Sequence, residues 1–97
     1  MRNGVEFCAW GVRIYLDEAN TQQLLAVLDS GGNAVAVLMV VDPELKSKVA
    51  LALAAALVKV GASIIKAVDQ QGGGHGVSIS HPWIGPIPGW VTAQPAE

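Results

Sequence analysis

Cysteine occurs once in this chain, at Cys8, and phenylalanine and tyrosine occur once each. A single cysteine excludes an intrachain disulfide, so the fold must be held by its core. The apolar run around Cys8 predicts a buried thiol rather than a reactive one. Charge is scarce too: 14% of residues are charged, six Lys and Arg against eight Asp and Glu, for a formal net charge of −2. No basic footprint for a phosphate backbone results, and nucleic acid is not expected as a partner. The start, MRNGVEFCAW, has one Arg but no following apolar stretch of about seven to fifteen residues and no small-residue cleavage site. The expectation is therefore secretion by a leaderless or non-classical route, with a cytoplasmic location as the alternative.

What is present is apolar mass. Hydrophobic residues make up 52% of the 97, and a chain of this length suits one domain, residues 1–97, that buries roughly 60 to 65% of its unfolded surface. So apolar a surface is expected to be shared with a membrane or a partner.

The run VEFCAWGVRIYL, residues 5 to 16, is rich in β-branched and aromatic residues and reads as extended structure with a bend or bulge at Gly11. A two-residue period puts Trp10, Val12, Ile14 and Leu16 on one face, and Arg13 and Tyr15 on the solvated one. Asp17, Asn20 or Thr21 can cap a helix through QQLLAVLDS that ends at Gly31 and Gly32. The run AVAVLMVV, residues 34 to 41, is about 12 Å long as a helix, far short of a bilayer core. In DPEL, Asp42 as N-cap, Pro43 at the first helical position and Glu44 in the first turn predict a helix over residues 43 to 70, stopped by GGGHG and about 40 Å long.

On a 100° wheel, Leu53, Leu57, Val60, Ile64 and Val68 fall within a sector of roughly 80°, with Lys48, Lys59 and Lys66 clustered opposite. Residues 49 to 68 also invite a membrane reading. Nine aliphatics at about −0.3 to −0.6 kcal/mol each nearly cancel one central lysine at about +2.5 to +3.5, so a lone span is marginal and a buried helix is preferred in water. The alternation in VSIS predicts a strand with Val77 and Ile79 inward, and three prolines between 82 and 88 predict an irregular crossing before a last strand near Trp90 to Ala93, with Pro95 to Glu97 frayed.

No catalytic pattern stands out. His75 and His81 match no metal-ligand spacing, and no metal or cofactor is expected. GGGHG follows a helix instead of opening one, so it reads as a stop and turn rather than a phosphate loop. Ser78, Ser80 and His81 are too close along one strand to form a nucleophile and base. Asp17 and Glu18 have an ordinary role in a first helical turn. The chain is not expected to be an enzyme. Trp10, Trp83 and Trp90 could anchor at a membrane interface or cover the open end of a small core.

Three stretches, GVRIYLD at 11 to 17, PELKSKVALALAAALVKVGASIIKAVD at 43 to 69, and GVSI with WVTAQ at 76 to 94, together resemble small bacterial streptococcin-type, non-lantibiotic bacteriocins. The resemblance implies a bacteriocin-like protein acting on a bacterial membrane or envelope, with Lys48, Lys59, Lys66, Trp83 and Trp90 as the contact residues to watch. The slight acidity departs from a cationic antimicrobial. The fold expected is α+β, a small antiparallel sheet of N- and C-terminal strands packed with a helical hairpin dominated by the helix over 43 to 70. The function expected is non-enzymatic and membrane-active. Self-assembly into a homo-oligomer or filament is the alternative, because exposed strand edges and alanine-rich helix faces can join copies.

Overall fold

A computed structural model describes residues 2–85 and 89–95. Two strands open the chain, β1 (Gly4–Phe7) and β2 (Gly11–Leu16). Four helices follow, α1 (Glu18–Asp29), α2 (Val35–Val41), α3 (Ser47–Val60) and α4 (Ala62–Gln71). Strands β3 (Val77–Pro82) and β4 (Trp90–Ala93) close it. The sheet runs β1-β2-β3-β4, antiparallel throughout, so the helices form one long excursion between the two central strands. The α+β class and a sheet built from both ends of the chain are as the sequence predicts.

The two-residue period is realised in the central pair. Val12, Ile14, Leu16, Val77 and Ile79 are at most 1% exposed and meet Leu24, Leu38, Leu53, Leu57 and Ile65 from the helices in one core. Each such side chain contributes roughly 1.5–3 kcal/mol on leaving water. The other face carries Arg13, Tyr15, Ser78 and Ser80, with no helix over it.

Asp17 is the cap of α1, its carboxylate accepting from the Asn20 amide at 2.9 Å. Asn3 holds that carboxylate from the other side, its side-chain amide donating at 2.6 Å. At the far end of the chain, the buried Gln94 side chain donates to the Leu16 carbonyl at 2.7 Å and to the Arg2 carbonyl at 2.9 Å, while accepting from the Arg2 amide. A C-terminal glutamine thus ties the N-terminus to the start of the core.

The expected single helix over 43 to 70 is broken. Helices α3 and α4 bend by 77° at Gly61, whose φ of 92° and ψ of 143° lie where essentially only glycine goes. A straight rod of about 40 Å would overrun a molecule whose longest extent is 32 Å. The bend folds α4 back, against β4, α1 and β3. It also shifts the buried phase. Leu53, Leu57 and Val60 face the core as predicted, but beyond Gly61 the buried residues are Ile65 and Asp69, and Ile64 is 54% exposed.

The Asp-Pro-Glu step does not start a helix either. Asp42 ends α2, its Oδ1 accepting from the Glu44 amide at 3.1 Å in a turn, and Leu45 enters the core before α3 begins at Ser47. The expected fraying of the last residues partly lies outside the described residues, as does part of the proline-rich crossing.

A Cβ added at Gly61 meets nothing within 4 Å, so the cost of Gly61→Ala is backbone strain alone. Urea denaturation should show a loss of about 1–3 kcal/mol. A straight α3–α4 helix would instead be neutral or gain about 1 kcal/mol from the substitution.

Candidate functional site

The hairpin between β1 and β2 turns on two residues, Ala9 and Trp10. Cys8 and Gly11 exchange backbone hydrogen bonds across it, at 2.7 and 3.3 Å. Of the bend or bulge expected at Gly11, the chain makes a reversal, the end of a two-residue turn, and it changes the direction of Trp10. Instead of joining Val12 and Ile14 in the core, Trp10 stacks on Trp90 with ring centroids 5.6 Å apart and planes 20° apart. Register places that pair on the helix-free face, because Trp90 lies across from Ser80, and Ser80 across from Arg13. Cys8 itself is half-buried, not enclosed.

A second stack forms on the helix side. Phe7, opposite the core residue Val12, lies 6.4 Å from Trp83 with the planes 12° apart. Trp83 is pinned to the hairpin turn: its amide donates to the Trp10 carbonyl at 3.0 Å and its indole N–H to the Cys8 carbonyl at 3.1 Å. The polar handle of the indole is thereby used internally, and the ring is left as apolar surface.

Four of the five aromatic side chains, all but Tyr15, thus gather at one end of the sheet. They are Phe7 (55% exposed), Trp10 (41%), Trp83 (49%) and Trp90 (47%), with Ile84 beside them at 90%. The sequence reading singled out Trp83 and Trp90, and the structure places both here, though in different stacks. Phe7 and Ile84 carry no sequence signal that marks them for this end, and Trp10 stands on the helix-free face instead of the core face that its parity with Val12 predicts.

The three lysines are divided between two helices. Lys48, Lys59 and Lys66 are exposed, Lys48 and Lys59 on α3 and Lys66 on α4. With a 77° bend between those helices, the single lysine edge of a straight helix does not exist. Among the described residues no single helix is long and apolar enough to cross a membrane, and α3 and α4 reach the required length only as a bent pair. No group of three or more His, Cys, Asp or Glu is placed to hold a metal ion among the described residues.

A second cluster lies at the opposite end of β2. The Gly76 amide is shared between Asp69 Oδ1 at 3.0 Å and Glu18 Oε1 at 3.2 Å, and Gln22 donates to both carboxylates, at 3.0 Å to Glu18 and 3.3 Å to Asp69. Asp69 is 2% exposed. Desolvation pushes the Glu18 carboxyl above its usual value of 4.5, and a hydrogen bond with Asp69 adds to this. Both carboxylates are fully committed to stitching α1 and α4 to the entry of β3, which is a structural role. On the open face, Arg13 is pushed upward by its hydrogen bond to Tyr15 and stays charged.

The sign of the Glu18 effect is fixed by linkage. A carboxyl raised on folding holds its proton longer in the native state, so its contribution is fully present below pH 4.5 and is lost as pH rises through the raised value. The difference in unfolding free energy between the protein and its Glu18→Gln variant, followed by denaturant melts across that window, should change in this direction. A difference that does not vary with pH would contradict it.

No family model, no curated protein and no solved structure matches this chain. The resemblance to streptococcin-type bacteriocins rests on its short motifs alone.

Proposed function

We propose that the protein is a non-enzymatic, bacteriocin-like envelope protein that attaches to the lipid–water interface of a bacterial membrane through the aromatic end of its sheet. One observation carries this reading: three tryptophans, the phenylalanine and Ile84 stand exposed together at one end of the fold. Indole rings favour the headgroup level, where an apolar body and a polar edge are both accommodated. An exposed apolar patch of this make-up marks an interaction surface. The protein lies on the membrane in this reading; among the described residues no single helix is long and apolar enough to cross one. The acidic balance, −2 overall, means that attachment draws on ring and aliphatic burial rather than on attraction to anionic lipid.

Sedimentation with phosphatidylcholine vesicles tests the reading. The full chain should partition, and Trp83→Ala combined with Ile84→Ser should weaken partitioning by about tenfold or more, given roughly 1.5–3 kcal/mol for each large apolar side chain fully buried. Absence of partitioning, or partitioning that this double variant leaves unchanged, defeats it.

Self-assembly is a second reading, supported by a different surface. On α3, Leu51 (57% exposed) and Val58 (61%) flank the exposed Ala55 at spacings of four and three, an apolar stripe whose small centre lets another helix come close. Light scattering on the full chain in detergent-free buffer decides it. A dimer or larger particle that Leu51→Gln with Val58→Gln returns to monomer supports assembly, and a monomer at every concentration excludes it.

A further inference from the structure

The helix-free face of the sheet holds a groove of about 490 Å3, within the size range of small-molecule sites. The chain contains two arginines, Arg2 and Arg13, and both line it. Each guanidinium lies over an aromatic ring: Arg2 is 3.9 Å from the centre of Tyr15 and Arg13 is 5.4 Å from that of Trp10. Stacking fixes the plane of a guanidinium and leaves its N–H edge to point sideways. Arg13 and Tyr15 are two residues apart on one strand, about 7 Å, and Arg2 covers Tyr15, so both cations belong to one wall of the groove.

The floor is hydroxylic. Ser78 (8% exposed) and Ser80 (3%) are buried beneath the larger side chains, and Thr92 lies across from Ser78. Trp90 stands on the opposite side of Ser80 from Arg13 and lines the groove. No carboxylate is among the described lining residues. Glu6, across from Arg13 on β1, lies 3.9 Å from it with both side chains more than a third exposed and accepts from the Tyr15 hydroxyl at 3.3 Å; so exposed an ion pair is too weak to occupy the cation.

We propose that this groove binds a phosphate ester, the phosphate seated between Arg2, Arg13 and the serine hydroxyls and the esterified group lying toward Trp90. Two guanidinium edges and several hydroxyl donors suit a tetrahedral anion with three or more acceptor oxygens better than a planar carboxylate, which one arginine satisfies. Gln94 positions Arg2 by gripping its backbone amide and carbonyl. The same chemistry is offered by a soluble phosphate ester and by a phosphomonoester lipid headgroup.

The full chain is titrated with sn-glycerol 3-phosphate and followed by indole fluorescence, with glycerol as the uncharged control. In parallel it is sedimented with phosphatidylcholine vesicles with and without phosphatidic acid. Arg13→Gln and Arg2→Gln should each weaken binding by about tenfold, the worth of one charge-assisted contact, and salt should weaken it too. Arginine-dependent binding of the soluble ester identifies a free ligand. Arginine-dependent binding only to phosphatidic acid vesicles identifies a headgroup. If neither probe is bound in an arginine-dependent way while circular dichroism shows the variants folded, the proposal is overturned. Trp83→Ala with Ile84→Ser should leave glycerol 3-phosphate affinity unchanged, so failure at the aromatic end and failure in the groove are read separately.

Discussion

The pairing of β2 with β3 is the constraint on which the other features depend. Six residue pairs, from Gly11 with Pro82 to Leu16 with Val77, join the two ends of the chain across the whole helical excursion. A slip of one residue would exchange Val77 and Ile79 for Ser78 and Ser80 in the core. The register is locked at its core end by Gly76, which has φ of 86° and where a Cβ would come within 2.2 Å of the Leu16 carbonyl. Its amide is held by the Glu18 and Asp69 carboxylates. At the other end the same pairing carries Trp83 back to the hairpin turn of Trp10.

Much of this was legible because strands and caps write themselves locally. Alternation in GVRIYL and VSIS identifies the inward residues, and Asp17 is a cap because its short carboxylate reaches the first free amides. The break at Gly61 was not legible. One glycine in an alanine-rich periodic stretch costs a helix only about 1 kcal/mol, so nothing local separates a tolerated glycine from one that adopts φ of 92°. The decision is made by packing: only a turned α4 buries Ile65 at 0% exposure and brings Asp69 to the Gly76 amide. Asp42 and Pro43 failed as a helix start for a related reason. The residues that begin a helix well also make a tight turn well, and Leu45 is drawn into the core before the chain winds into α3.

The aromatic end was hidden by its own turn. Ala9-Trp10 carries none of the Asn-Gly or Asp-Gly chemistry that marks a two-residue hairpin, so the run from Val5 to Leu16 reads as one strand and Trp10 inherits the inward parity of Val12. Once the hairpin is known the rest follows from register. Phe7 sits opposite Val12 and Trp90 opposite Ser80, and residues more than seventy positions apart become neighbours because β3 runs back along β2.

The apolar surface of the protein is divided, and under the proposed envelope reading the division favours the sheet end over the helices as the part that would meet lipid. Lowering α3 into a bilayer on its Leu51–Val58 stripe brings Lys48 and Lys59 toward the interface. A lysine carried to the centre of a bilayer costs about 2.5–3.5 kcal/mol, which limits such a helix to a shallow seat. The rings at the sheet end need no such depth. The Trp83 indole N–H already has its acceptor in the Cys8 carbonyl, so burying that ring strands no donor. Arg13 lies over Trp10 on the face where a phosphate would sit. In the proposed reading the rings and the phosphate groove are therefore adjacent on one sheet, and an interface that presents apolar chains beneath phosphates would satisfy both, where a soluble ester would fill the groove alone.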